Sequence, residues 1–288
     1  MQVYEQILSN IRRGRKMLAV LLDPEKAPDL DSLATFINES RTDLLFVGGS
    51  GYAKPVDVFV EGLRRRIRPD LPIVLFPGDV CQFSPEADAL LFLSLLSCRD
   101  GELLVGRHIR AAKAIRESGI EVIPMGYILI DGGSETTVQR VTHTRPLSDE
   151  AEIVSTALAG EMLGKRLIYL EAGSGALRPV SEQVIRSVRQ CVGVPLIVGG
   201  GIRSVQQMQT AFSAGADIVV IGNHFETHPE DIVNFSLTSP ETCTAPPIVP
   251  EGIRNLKPAQ RSRSFRKDKK PETWNLELAR LRRSFPKG

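Results

Sequence analysis

Three glycine-bearing segments, each directly after a short apolar run, are the first candidates for chemistry: Glu171-Ala172-Gly173-Ser174-Gly175, Gly199-Gly200-Gly201-Ile202-Arg203-Ser204 and Gly222-Asn223. Glycine lets the main chain approach an anion closely. Unpaired N–H groups at a helix start point toward such an anion with the positive end of the helix dipole. Ser174 adds a hydroxyl donor. One such segment alone would serve equally well as a tight strand-to-helix turn. Three in succession point to a phosphate group held by backbone amides.

Two earlier segments add a metal-type pair. Leu22-Asp23-Pro24-Glu25-Lys26 offers a carboxylate and Val47-Gly48-Gly49-Ser50-Gly51 a hydroxyl. One carboxylate and one hydroxyl, completed by water and diphosphate oxygens, fit Mg2+, which takes few protein ligands. The competing reading makes Asp23 a helix cap beside an ordinary glycine turn. Glu171 either accepts a proton from a substrate hydroxyl or only orients that hydroxyl. Tyr169 either reaches a phosphate or polyol or belongs to the core. Asp79 and Asp131 sit on similar loops without an assignable role. The histidines at 108, 143, 224 and 228 form no HExxH or triad spacing and read as surface or capping residues. The cysteines at 81, 98, 191 and 243 have no zinc spacing; they read as small buried residues in a reducing compartment. Neither a P-loop nor a GxGxxG in nucleotide context is present.

The elements that must hold these residues are legible as eight apolar runs: MLAVLL (17–22), LLFV (44–47), IVLF (73–76), ALLFL (89–93), EVIPM (121–125), LIYL (167–170), PLIV (195–198) and DIVVI (217–221). They do not alternate apolar with polar, as expected of parallel strands buried on both faces. Helical patterns lie at 28–40, 55–67, 103–117, 148–163, 180–190 and 204–213, with Ser148 and Ser204 as expected caps. The order predicts an α/β fold, a TIM-type (β/α)8 barrel within residues 1–238. Every chemical segment above then falls on the C-terminal rim, where the loops after strands seven and eight often bind phosphate. One crossover is too short: PGDVCQFSPEAD, carrying Pro77, Gly78 and Pro85, cannot supply a full helix after strand three. A gap in the outer ring is expected there, fit either to admit a long hydrocarbon or to be filled by a neighbouring subunit.

Charge divides the chain. From Pro250 onward stand twelve Lys/Arg against four Asp/Glu, whereas the remainder holds 24 basic and 30 acidic residues. Residues 239–288 therefore read as a separate basic, Pro-rich, disordered tail, with an amphipathic helix over 274–285. The tail is a solvated extension, a contact for anionic membrane, or a nonspecific nucleic-acid contact; no specific nucleic-acid reader is expected. The first fifteen residues, MQVYEQILSNIRRGR, resemble an amphipathic helix rather than a signal peptide. No run approaches the roughly 18 apolar residues of a membrane span. A cytoplasmic protein is expected, with peripheral membrane contact through the tail as the alternative.

The motifs LLDPEK (21–26), VGGSG (47–51), LLFLSLLS (90–97), IPMGYILIDGG (123–133), TALAGEMLG (156–164), YLEAGSGA (169–176), IVGGGIRS (197–204) and ADIVVIGN (216–223) together resemble the geranylgeranylglyceryl phosphate synthase family and its heptaprenyl relatives. The resemblance runs from about residue 3 to 235. YLEAGSG and LDPEK are its specific parts, whereas GGGI and IGN fit many phosphate-binding barrels. It implies a TIM-type barrel lacking its third helix. It also implies a prenyltransferase joining a long prenyl diphosphate to the C3 hydroxyl of sn-glycerol 1-phosphate through an ether bond. The substrate-binding set would be Lys26, Tyr169, Leu170, Glu171, Ala172, Gly173, Ser174, Gly175, Gly200, Gly201, Gly222 and Asn223. Asp23 and Ser50 would hold Mg2+, and Glu171 and Asp23 would carry catalysis. IDGGSETTV with TALAGEMLG resembles a branch that favours a geranylgeranyl donor and forms dimers or hexamers. SCRDGEL (97–103) departs from the family's usual Asn/Arg-Asn-Pro type loop, and the basic tail has no family counterpart. The competing functions are a sugar-phosphate lyase or isomerase on the same barrel and a non-catalytic lipid-phosphate binder.

Overall fold

Eight short strands close on themselves in the computed structural model, which describes residues 2–27, 29–49, 56–79 and 82–237. They are β1 (Met17–Leu22), β2 (Leu44–Val47), β3 (Ile73–Leu75), β4 (Ala89–Leu95), β5 (Glu121–Leu129), β6 (Leu167–Glu171), β7 (Leu196–Gly199) and β8 (Ile218–Ile221). All neighbours pair parallel in chain order, and β8 returns to β1 from Met17↔Ile218 to Val20↔Ile221. The helices are α1 (Val3–Arg12), α2 (Leu30–Glu39), α3 (Asp57–Arg64), α4 (Arg107–Ser118), α5 (Thr137–Thr142), α6 (Glu150–Met162), α7 (Glu182–Cys191), α8 (Val205–Ala214), α9 (Asn223–Thr227) and α10 (Asp231–Leu237). A π-helical turn, Glu102–Gly106, leads into α4. This is the expected TIM-type barrel. Among the described residues no helix stands between β3 and β4, so the expected gap is present.

Strand alternation sorts the apolar residues into two cores. Met17, Ala19, Phe46, Leu91, Met125, Tyr127, Leu167, Tyr169 and Ile197 fill the barrel interior. Leu18, Val20, Leu45, Leu90, Ile128, Ile168, Leu170 and Val198 pack outward beneath the helices. Both faces are buried, which is why the strands read as continuous apolar runs. Helix α1, the amphipathic N-terminal segment, puts Val3, Tyr4 and Ile7 into the interior core, beside the residues that begin the strands. The Glu121 carboxylate accepts the N–H groups of Val3 and Tyr4, which a helix start leaves unpaired. The N-terminal end of the barrel is thereby plugged.

Ser204 caps α8 as expected, accepting the Gln207 N–H. For α6 the cap is Asp149, not Ser148: the Asp149 carboxylate accepts the Glu152 N–H at 2.9 Å. The charged side chain one residue later meets both that amide and the helix dipole. Cys98 is buried as expected, but Cys191 ends α7 exposed, while Cys81 and Cys243 lie outside the described residues. The expected tail, residues 239–288 with its helix at 274–285, also lies outside them.

Candidate functional site

A cavity of about 280 Å³ opens at the C-terminal rim. Inward-facing positions bring the chemistry together there. β1 ends with Leu21 and then Asp23 turned inward, β6 with Tyr169 and Glu171, and the turns after β7 and β8 contribute Gly200, Gly201, Gly222 and Asn223. Lys26, Gly173, Ser174 and Gly175 complete this polar wall. Leu170 and Ala172, expected in the binding set, do not line it. Alternation turns both side chains into the outer core, and the Ala172 N–H is spent on the Gly199 carbonyl at 3.0 Å. Ser50 lies outside the described residues.

The late-strand turns form an amide cradle. Among the described residues, no protein acceptor meets the backbone N–H groups of Ser174, Gly175, Gly200, Gly201 or Asn223. The Gly173 N–H is different: it donates to Glu171 Oε1 at 2.7 Å. Ser174 Oγ donates to Asn223 Oδ1 at 2.9 Å, tying the loop after β6 to the start of α9. Gly200 has φ +80°, and a Cβ there would run into the Glu171 carboxylate and stand 2.6 Å from the Gly173 nitrogen and 2.9 Å from that of Ala172. Only glycine fits this left-handed position against the loop after β6. The loop after β5 buttresses it: the Gly132 carbonyl accepts the N–H groups of Leu177 and Arg178, both at 3.0 Å, and Ser134 Oγ donates to the Gly175 carbonyl.

Glu171 is 6% exposed at the base of the cradle. Burial raises its pKa above the ordinary carboxylate range, against the opposing pull of hydrogen bonds from the Tyr169 hydroxyl and the Gly173 N–H. Of the two readings left open by the sequence, Tyr169 takes the core one. Its ring stacks at an angle on Phe76 and Tyr127 in the core, while its hydroxyl addresses Glu171 at the cavity wall.

Asp23 faces the cavity with its side chain 13% exposed. Lys26 Nζ stands 3.1 Å from Asp23 Oδ2 and 3.8 Å from Glu226 Oε1. Asp23 Oδ1 also accepts the Glu25 N–H at 3.1 Å within the turn, but it is not the helix cap of the competing reading, because Asp29 caps α2. Gly49 makes room for the carboxylate: a Cβ there would lie 2.7 Å from Asp23 Oδ2. Among the described residues no three His, Cys, Asp or Glu side chains gather as a metal site, so an ion here would take Asp23 in exchange for Lys26 and draw the rest of its shell from water and substrate oxygens. Burial raises the pKa of Glu226, with Lys26 opposing and Asp23 reinforcing the shift.

Beyond the polar wall the cavity becomes apolar and leaves the barrel interior. Leu90 and Phe92, on the outer face of β4, line it with Ala111 and Ile115 of α4 and with Phe83 from the β3–β4 connection. This is the place of the missing helix. The histidine expectation needs correction here: His108 packs edge-on against Phe92, 4.3 Å between ring centres, and lines the groove. His224 lines the polar end and pairs with Asp231 at 2.8 Å. His143 does cap, ending α5 with φ 53°. Asp79 lines the cavity, whereas Asp131 accepts the Gly133 N–H in a turn. Gln82, Tyr127 and Glu226 were not singled out in the sequence. Tyr127 stood within the IPMGYILIDGG motif, but a lone Gln or Glu in a loop carries no periodic signal.

Comparison with known proteins agrees with this geometry. The model of the PcrB family matches residues 9–238. A geranylgeranylglyceryl phosphate synthase of Flavobacterium johnsoniae is 47% identical over 229 residues, covering 78% of this chain and 93% of that protein. The Thermococcus kodakarensis protein of the same name is 41% identical over 217 residues, covering 73% and 84%. Among solved structures, (S)-3-O-geranylgeranylglyceryl phosphate synthase from Thermoplasma acidophilum, in complex with its substrate sn-glycerol-1-phosphate, superposes with a TM-score of 0.75. It is 36% identical and covers 82% of this chain and 98% of its own. With a family model matched over most of its length and relatives this similar, the chain belongs to the PcrB family.

Proposed function

We propose that this protein is a prenyltransferase that joins the geranylgeranyl group of geranylgeranyl diphosphate to the C3 hydroxyl of sn-glycerol 1-phosphate. The observation that carries the reading is the continuous cavity that runs from an amide cradle for a dianion into an apolar groove on the outer face of β4. A sugar-phosphate lyase or isomerase would have no use for that groove. The relatives' names supply the acceptor and donor classes.

The free amides of Gly175, Gly200, Gly201 and Asn223, with Ser174, hold the acceptor's phosphate. Glu171 accepts the C3 hydroxyl proton as that oxygen attacks C1 of the donor. The new C–O ether bond forms, the allylic C–O bond to diphosphate breaks, and pyrophosphate leaves. Asp23, together with Ser50, would hold Mg2+, whose charge offsets that of the departing pyrophosphate. Lys26 adds a cation beside it. Phe83, Leu90, Phe92, Ala111 and Ile115 receive the hydrocarbon. Catalysis rests mainly on positioning.

The test is direct. Purified protein with Mg2+, each glycerol phosphate enantiomer and prenyl diphosphates from C15 to C35 should give the geranylgeranyl ether of sn-glycerol 1-phosphate, read by mass. No ether product with any donor would overturn the reading and favour a non-catalytic binder. Two further properties belong to the same proposal: assembly as a dimer or hexamer, read by light scattering, and contact of residues 239–288 with anionic membrane, read by liposome pelleting. None of the described helices is long and apolar enough to cross a membrane.

A further inference from the structure

The segment that stands in place of the third helix sends one side chain inward. Gln82 is 1% exposed, although it belongs to a loop, and it lines the cavity. Its Nε2 donates to the Gly49 carbonyl at 2.7 Å, and its Oε1 accepts the Gly78 N–H at 2.9 Å and the Gly49 N–H at 3.4 Å. A buried amide is costly unless its donors and acceptor are met, so this side chain fixes both main-chain segments to one another. Gly49 is confined from the other side by the Asp23 carboxylate, 2.7 Å from where its Cβ would stand. The turn after β2 is thus sandwiched between Gln82 and Asp23.

The loop that Gln82 belongs to also forms the groove wall, through Phe76, Pro77, Gly78 and Phe83. We infer that Gln82 is a positioning residue for the donor half of the reaction: it couples the groove wall to the turn that adjoins Asp23, and so sets the metal and diphosphate end of the cavity. The bonds of Gln82 to Gly49 and Gly78 lie at the donor end of the cavity, which makes acceptor binding the internal control. This inference rests on the proposed function, in that it takes Asp23 to face a metal–diphosphate group.

The experiment compares full-length wild type with Gln82→Leu, which keeps the volume and loses all three bonds, and with Gln82→Glu, which keeps the acceptor oxygen. Mn2+ is titrated in the presence of inorganic pyrophosphate and followed by electron paramagnetic resonance. Separately, sn-glycerol 1-phosphate is titrated calorimetrically into metal-free protein. Gln82→Leu should weaken Mn2+–pyrophosphate binding about tenfold, the scale of one lost buried amide pair, and leave acceptor binding within about twofold. Gln82→Glu should lie between the two proteins. Equal weakening of both ligands, or unchanged Mn2+ binding, overturns the assignment. If Gln82→Leu does not fold, Gln82→Glu decides on the same criteria. Wild type that forms no ether product sinks the proposed function instead, so the two failures are distinguishable.

Discussion

Gly200→Ala puts the amide cradle to its sharpest test, with Gly164→Ala, outside the cavity, as its internal control. Both glycines hold left-handed backbone, φ +80° and +84°, so each alanine bears a similar conformational cost of about 1–2 kcal/mol. Their surroundings differ. At Gly164 an added Cβ meets nothing within 4 Å, whereas at Gly200 it runs into the Glu171 carboxylate and lies 2.6 Å from the Gly173 nitrogen and 2.9 Å from the Ala172 nitrogen. Ordinary contact begins near 3.4 Å, so main chain must move by most of an ångström, and the cradle moves with it. Loss of one hydrogen bond to a charged group costs about 1.5–3 kcal/mol, or about tenfold to a hundredfold in affinity. Calorimetric titration of sn-glycerol 1-phosphate should show that weakening for Gly200→Ala. Gly164→Ala should lose stability in a denaturant melt with affinity changed less than about threefold, well under one such bond. Equal weakening by the two variants would mean that backbone strain alone was measured, and that the phosphate does not sit against Gly200.

Glu171→Gln should lower kcat by about a hundredfold or more while raising the melting temperature at neutral pH. The sign follows from a carboxyl pKa raised on folding: the buried charge costs stability above the ordinary carboxylate pKa, and that cost vanishes as acid protonates the group. Wild-type kcat/KM should accordingly fall with acid from a higher pH than an ordinary carboxylate base would give; an acid limb at the ordinary carboxylate pKa would dismiss Glu171 as the base. Asp23→Asn, which can still accept the Glu25 N–H, should cut turnover about a hundredfold, some 2.7 kcal/mol of barrier, with acceptor affinity nearly unchanged. Comparable loss in both would argue against a metal-side role. Ala111→Phe should fill part of the groove; excluding two methylene groups costs about 1.6 kcal/mol, raising KM for a C20 donor about tenfold while sparing a C10 donor. Equal effects on both donors would place the hydrocarbon elsewhere.

Strand positions were legible because parallel strands buried on both faces leave uninterrupted apolar runs, and LLFV at 44–47 was recovered to the residue. EVIPM stopped short of the observed Leu129 because Gly126 and Tyr127 interrupt the run. Their strand geometry comes from pairing with Ser94 and Leu95 on one side and Ile168 and Tyr169 on the other, a tertiary cause. The glycine turns announced the cradle, but adjacency to it in sequence was mistaken for contact at Leu170 and Ala172, which alternation turns away. Gln82 and Glu226 were illegible for a related reason. Each acts through partners tens or hundreds of positions distant, Gly49 for one and Lys26 for the other, and nothing local marks them.

The absent third helix has one more consequence, for traffic. With the opposite end stoppered by Val3, Tyr4 and Ile7, a water-soluble acceptor has only the top of the barrel to enter by, whereas an oily donor can slide in from the flank across Leu90 and Phe92. The two routes meet beside Glu171, where the cavity is continuous. A finished lipid, still carrying its headgroup, clears both ends of the cavity in one departure.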